Sequence, residues 1–339
     1  MADLPSDPPD PAPNRSPEGP MAEPHIYVTR TLTDAAMRAV REIGPPVVAG
    51  GEEPPERAAL LRDAAGAAAV VCTLTERIDA EFLDAAGPAL KVVANTAVGY
   101  DNIDVAAATE RGVRVTNTPG VLDGATADLT MALILAAARR VLDGDRLLRE
   151  RTPWVWGPRM LLGLDLSAGT TLGVVGYGRI GRAVARRARA FDMRILATPT
   201  SSPVPEGEQV EFVPLPELLE RSDVVTLHCP LTPATRHLID AAALRRMKAG
   251  AILVNTARGG IVDENALVEA LRAGTIAGAA LDVFEGEPAV NPELVKLDNV
   301  VVTPHIGSAG VATRERMCGL SVANAAAVLA GRDPLTPVN

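Results

Sequence analysis

The chain reads as an α/β protein built from two doubly wound parallel-sheet domains, and three observations predict it. Short apolar runs alternate with helical stretches in two consecutive series, the pattern of parallel strands joined by covering helices. A glycine turn, Gly176-Tyr-Gly178-Arg-Ile-Gly181, follows an apolar strand at mid-chain, so a domain's worth of sequence precedes it. The apolar positions are mostly Ala, Val and Leu, with 3% aromatic residues, which suits strands buried on both faces.

In the first series, residues 26–28, 47–49, 68–72, 90–94 and 113–116 read as strands, and 34–41 and 80–86 as helices. Asn117-Thr-Pro119-Gly120 breaks the pattern, and one long helix is expected over 125–142, bridging the two domains. The second series has strands at 172–175, 194–197, 224–227, 251–254, 277–281 and 300–303. Six parallel strands starting at the glycine turn make a complete Rossmann sheet. The Ala-rich helical segment 308–330 has no strand to pair with, so it is assigned back to the first domain. The expected units are therefore a discontinuous substrate-binding domain, 25–122 completed by 308–339, and a nucleotide-binding domain, 123–307. The active-site cleft lies between them.

Composition narrows the function. A 339-residue chain has room for two cores, and 47% hydrophobic with 22% charged residues is an ordinary globular balance. A net charge of −9 and a pI near 5.1 argue against a general binder of nucleic acid or anionic membrane. Cys72, Cys229 and Cys318 are far apart and lack metal-ligand spacing. Reduced thiols in a cytoplasmic protein, with no metal, are expected. No apolar run approaches the roughly 18 residues of a membrane span. Residues 1–24 are crowded with Pro, Asp and Glu, lack a signal-peptide apolar stretch, and are expected to be disordered. Met21 reads as a second natural start.

The glycine turn has a physical reading. Gly176 permits a tight turn, Gly178 lets backbone approach a pyrophosphate, and Gly181 lets the following helix pack on the strand. Amides at the helix start, over Arg179, Ile180 and Gly181, then face negative charge. A packing turn in some other α/β sheet is the plain alternative. Three polar residues sit at later strand ends of the same sheet: Arg258, Glu287 and His305. A guanidinium matches a carboxylate with a two-pronged fork, which suits Arg258 to a 2-oxo acid. An imidazole can protonate a carbonyl oxygen as hydride arrives, and a carboxylate touching it favours the charged form and fixes its orientation. Asp282 and Glu285 compete with Glu287 for that acid role. His228 is the rival histidine at a strand end and reads as structural; His25 and His237 show no partners that suggest chemistry.

Long segments carry a family resemblance: 74–81, Val98-Gly-Tyr-Asp-Asn-Ile-Asp104, 115–122, Asn255-Thr-Ala-Arg-Gly259, 281–288 and Thr303-Pro-His-Ile-Gly-Ser308. From about His25 to Asn339 the chain resembles the D-isomer-specific 2-hydroxyacid dehydrogenases, and within them the glyoxylate/hydroxypyruvate reductases. The resemblance implies an Arg258–Glu287–His305 catalytic set and a nicotinamide cofactor. It implies cofactor contacts from the glycine turn, Cys229-Pro230, Thr256, Ala257, Asp282, His305 and Gly307. It places the substrate carboxylate on the amides of Val98 and Gly99, with Leu74 on the pocket wall. A homodimer paired through the nucleotide domain is implied too, with Trp154 and Trp156 as candidates to reach the interface.

Two departures stand out. The acid that normally bonds the ribose 2′-OH of NAD is absent from Ala197-Thr198-Pro199-Thr200-Ser201-Ser202. The hydroxyls there, Thr200 and Ser201 among them, suit a 2′-phosphate, so NADPH is expected to be accepted, with NADH also used. Leu122-Asp123-Gly124 replaces a sequence closer to Leu-Thr-Asp. Alternatives remain at this point: a cofactor-sensing, corepressor-like binding protein of the same fold, a formate dehydrogenase (disfavoured by Glu287 where Gln is expected), or an enzyme oxidising phosphite or another small oxyanion.

Overall fold

The computed structural model describes residues 24–199, 204 and 206–339. Nearly all of the tail expected to be disordered, and the candidate cofactor residues Thr200 and Ser201, lie outside the described residues. Two wholly parallel sheets organise the rest. The first holds β1 (His25–Val28), β2 (Val47–Ala49), β3 (Ala67–Cys72), β4 (Val92–Asn95) and β5 (Arg114–Thr116), in the order β2-β1-β3-β4-β5. The second holds β6 (Thr171–Val175), β7 (Arg194–Ala197), β8 (Glu211–Phe212), β9 (Val224–Leu227), β10 (Ile252–Asn255), β11 (Gly278–Leu281) and β12 (Val300–Val302). Its order is β12-β11-β10-β9-β6-β7-β8. The reversal beside β6 is the topological switch point where open α/β sheets bind ligands.

Each sheet is covered on both faces, and side-chain parity shows it. In β1, Ile26 and Val28 enter one core and Tyr27 the opposite one. In β10, Ile252 and Val254 face one layer and Leu253 the other. A period of two along buried strands forces this division. Aspartates start several helices: Asp79, Asp104, Asp240 and Asp263 each accept from amides of the first turn, satisfying donors with no partner inside the helix.

Three expectations are corrected. The long helix over 125–142 is two helices, Asp123–Ala138 and Val141–Arg149, separated by Arg140 in a left-handed conformation (φ 51°). The break is tertiary: the Leu164 N–H donates to the Ala138 carbonyl (2.8 Å), and Gly163 passes too close to that carbonyl for any Cβ. The second sheet has seven strands rather than six, because the two-residue β8 is too short to read from pattern. The helix after the glycine turn, read from the sequence over 182–191, spans Arg179–Arg189, so it begins within the turn itself. The C-terminal helix, Val311–Leu329, does return to the first sheet, placing Cys318, Val322 and Ala325 against Ile26 and Val28. Beyond it the chain also gains strand contact, through an antiparallel bridge from Pro337 to Thr116.

Candidate active site

The C-terminal ends of both sheets open on one cavity of about 1190 Å³. Of the sequence-predicted residues, Leu74, Val98, Gly99, Gly178, Arg179, Ile180, Cys229, Pro230, Thr256, Ala257, Arg258, Asp282, His305 and Gly307 line it. Gly176, Gly181 and Glu287 are not in the lining, and Glu287 contacts His305 instead.

The glycine turn fits a pyrophosphate on structural grounds. Gly176 has φ 95°, and a Cβ there would stand 2.5 Å from the Cys229 nitrogen. A Cβ on Gly181 would meet the Gly176 carbonyl at 2.2 Å. Gly178, in contrast, faces open space, so backbone alone borders the cavity where the helix amides emerge. The Thr198 hydroxyl, at the end of β7 where an acid is normally found, accepts from the Gly176 N–H (3.0 Å). Burial pushes the Cys229 thiol up to about 11, so it lines the slot as a neutral group.

Opposite, the turn after β4 is shaped by side-chain amides. Asn95 donates to the Gly99 carbonyl and Asn117 to the Val98 carbonyl, each at 2.8 Å. Both carbonyls are thus tied back. Among the described residues, the Val98 and Gly99 amides donate to no protein group. Arg258 reaches over this turn, and its Nη2 would stand 1.6 Å from a Cβ on Gly99. Glycine is required there for close approach, since its φ is not left-handed. Arg258 Nε donates to Asp101 Oδ1 (2.8 Å) and Nη1 donates to the Ala257 carbonyl (2.8 Å). The outer edge of the guanidinium remains for a ligand.

His305 Nδ1 and Glu287 Oε2 are 2.7 Å apart, leaving Nε2 for the cavity. Glu287 Oε1 accepts from the Phe284 N–H (2.8 Å). Burial alone would raise the Glu287 carboxyl, but hydrogen bonding and charge from His305, the Phe284 amide and Arg258 outweigh it and hold it below the usual carboxylate range. Of the rival acids, Glu285 turns away to Arg236 and His237, at 2.6 and 2.8 Å. His237, for which the sequence suggested no partner, therefore has one. Asp282 is fully buried and accepts from the Thr303 hydroxyl and the Ile306 and Gly307 amides. It holds the loop that bends His305 into its left-handed conformation (φ 54°). His228 lines the cavity, but burial lowers it to about 3 and Thr226 hydrogen-bonds its Nε2, so it is neutral. His25 contacts the Asp63 carbonyl outside the cleft.

Sequence reasoning missed Asp101, although it quoted the segment that contains it. It also missed the pinning roles of Asn95 and Asn117. Their signal was their nearness to Val98 and Gly99 in sequence.

A cleft with a glycine turn and helix-start amides on one wall, and a guanidinium beside an imidazole–carboxylate couple on the other, suits hydride transfer between a nicotinamide cofactor and a small oxo acid. Residues 131–307 match the family model described as D-isomer specific 2-hydroxyacid dehydrogenase, NAD binding domain. A glyoxylate reductase of Thermococcus onnurineus is 49% identical over 323 residues, covering 94% of this chain and 96% of that protein. Among solved structures, the TT0316 protein of Thermus thermophilus aligns with a TM-score of 0.87 at 51% identity, covering 93% of this chain and all of that one. An NADPH-dependent glyoxylate/hydroxypyruvate reductase of Sinorhizobium meliloti, solved with NADP and malonate, gives 0.82 at 36%, covering 94% and 97%. The chain belongs to the D-isomer-specific 2-hydroxyacid dehydrogenase family. It is an NAD(P)-dependent dehydrogenase that reduces 2-oxo acids.

Proposed function

We propose that glyoxylate and hydroxypyruvate are the 2-oxo acids reduced, and that Arg258, Glu287 and His305 carry the reaction. The observation that carries this reading is the convergence of Arg258 and the Glu287–His305 couple on one cavity beside the glycine turn. The Val98 and Gly99 amides and the outer edge of Arg258 hold the substrate carboxylate. Arg258 also polarises the ketone oxygen. His305 Nε2 delivers a proton to that oxygen, and Glu287 stabilises the imidazolium from the Nδ1 side. The bound cofactor supplies the hydride. Leu74 forms the apolar wall. The domain division at residues 122/123 and 307/308 assigns substrate binding to the first sheet and the nucleotide to the second. Turnover assays with a panel of 2-oxo acids test the reading. Reduction of glyoxylate or hydroxypyruvate supports it; cofactor binding without turnover of any 2-oxo acid favours a corepressor-like binding protein instead.

NADPH is accepted in this reading, with NADH also used, because the sequence at the end of β7, Ala197-Thr-Pro-Thr-Ser-Ser202, carries no carboxylate to repel a 2′-phosphate. Comparison of kcat/KM for the two cofactors decides it. A preference for NADH above about tenfold, ~1.4 kcal/mol, rejects it. The protein works as a cytoplasmic homodimer. The support for a dimer is a group of large apolar side chains left exposed: Val141, Leu148, Trp154, Val155 and Trp156, on the Val141–Arg149 helix and the arm after it. Light scattering coupled to gel filtration tests the stoichiometry, and a monomer at micromolar concentration contradicts it.

A further inference from the structure

The turn that carries Glu287 is clamped from outside the cavity. The Glu285 N–H donates to Glu264 Oε1 (2.6 Å), while the adjacent Phe284 N–H donates to Glu287 Oε1 (2.8 Å). Gly259, next to Arg258, packs directly on this peptide: a Cβ there would stand 1.9 Å from the Phe284 carbonyl carbon and 2.3 Å from the Glu285 nitrogen. One peptide unit is therefore shared by the turn bearing Arg258 and the turn bearing Glu287.

Glu264 is buried, at 9% exposure. It is the first residue of the Glu264–Arg272 helix, whose start is already capped by Asp263 accepting from the Ala266 N–H (3.0 Å). Capping thus does not explain its carboxylate. A buried acid is costly unless its acceptor is used, and here Glu264 accepts from a single amide of the catalytic turn.

We propose that Glu264 is a positioning residue, which fixes the Phe284–Glu285 peptide and through it the register of Glu287 on His305. The inference rests on the reading of His305 as the proton donor. Without the acceptor at 264, the Glu285 amide is free to swing and the Phe284 amide moves with it. Glu287 then loses its second anchor. The charges facing Glu264 are those of Glu285 and Glu287; Glu285 is in turn bridged by Arg236 and His237, and Glu287 faces Arg258 and His305.

Glu264→Met removes the acceptor at similar length, and Glu264→Gln keeps an acceptor oxygen. In the methionine variant kcat is expected to fall about tenfold, the worth of one such hydrogen bond. Cofactor KM is expected to hold, and the limb of the kcat–pH profile set by the Glu287–His305 couple to move by roughly half a unit or more. The glutamine variant is expected to restore both readings. If Glu264→Met does not fold, Glu264→Asp, which retracts the acceptor, carries the same comparison. A folded variant lacking the acceptor, with unchanged kcat and pH profile, overturns the proposal, as does a change confined to Tm. His305→Ala run in parallel separates the two readings. Near-normal kcat there removes the proton donor itself, whereas an inactive His305→Ala beside an unaffected Glu264→Met removes only the positioning role.

Discussion

Arg258 Nε donates to Asp101 Oδ1 across the cleft at 2.8 Å, joining residues 157 positions apart in turns that follow strands of two different sheets. With Nη1 on the Ala257 carbonyl, two of the three nitrogens are committed to protein acceptors. The fork therefore presents one edge to a ligand in a fixed plane. Asp101→Ala is expected to lower kcat/KM for the 2-oxo acid by about tenfold to a hundredfold, since a hydrogen bond to a charged group is worth about 1.5–3 kcal/mol. Cofactor KM is expected to stay. Steady-state kinetics check it, and an unchanged or raised kcat/KM would show that Asp101 competes with substrate rather than orienting Arg258.

Two glycines are expected to fail in different ways. The Cβ of Gly99→Ala meets the tip of the Arg258 side chain, which can swing aside. The fold is expected to survive while kcat/KM falls roughly a hundredfold from misplaced substrate contacts. Gly176→Ala meets backbone at Cys229 from a left-handed conformation, and nothing there can yield cheaply. A loss of about 1–3 kcal/mol in stability is expected, together with weakened cofactor binding. Thermal melts and cofactor titrations of the pair check this split; equal loss of stability in both contradicts it.

The Glu287 carboxyl is held below its usual value of 4.5 in the folded protein. A group depressed on folding contributes stability above its unfolded pKa, and that contribution is lost as pH falls through the folded value. Relative to wild type, Glu287→Gln is expected to be destabilised near pH 7, with the gap in Tm closing as pH drops below about 4.5. A gap that stays constant across that range contradicts the linkage. The same substitution removes the partner of the imidazolium, so a fall in kcat of about tenfold or more is expected.

Much of the fold was legible because the inner strands are buried runs rich in Ala, Val, Ile and Leu, interrupted by turns and amphipathic helices. The Asp34–Arg41 and Ala80–Ala86 helices coincide with the spans read from the sequence. What the sequence withheld was set by distant contacts. Nothing near Arg140 marks a helix end; the break comes from Gly163 and Leu164 packing on Ala138. That Arg258 and His305 would border the cleft was legible because strand ends of a doubly wound sheet are where ligands collect. Asp101 was not, since its pairing with an arginine that follows a strand of the other sheet depends on the folded chain path rather than on any local pattern. Glu285 and Glu287 offered the same chemistry in sequence, and only the turn geometry gives one to His305 and the other to His237.

The most direct test of the central claim is the rate of 2-oxo acid reduction by His305→Ala, measured alongside its cofactor affinity. If the imidazole gives its proton to the ketone, kcat falls by about 10²–10⁴ while the cofactor dissociation constant stays within a few-fold of wild type. A variant that binds cofactor normally and turns over at a near-normal rate would contradict the account.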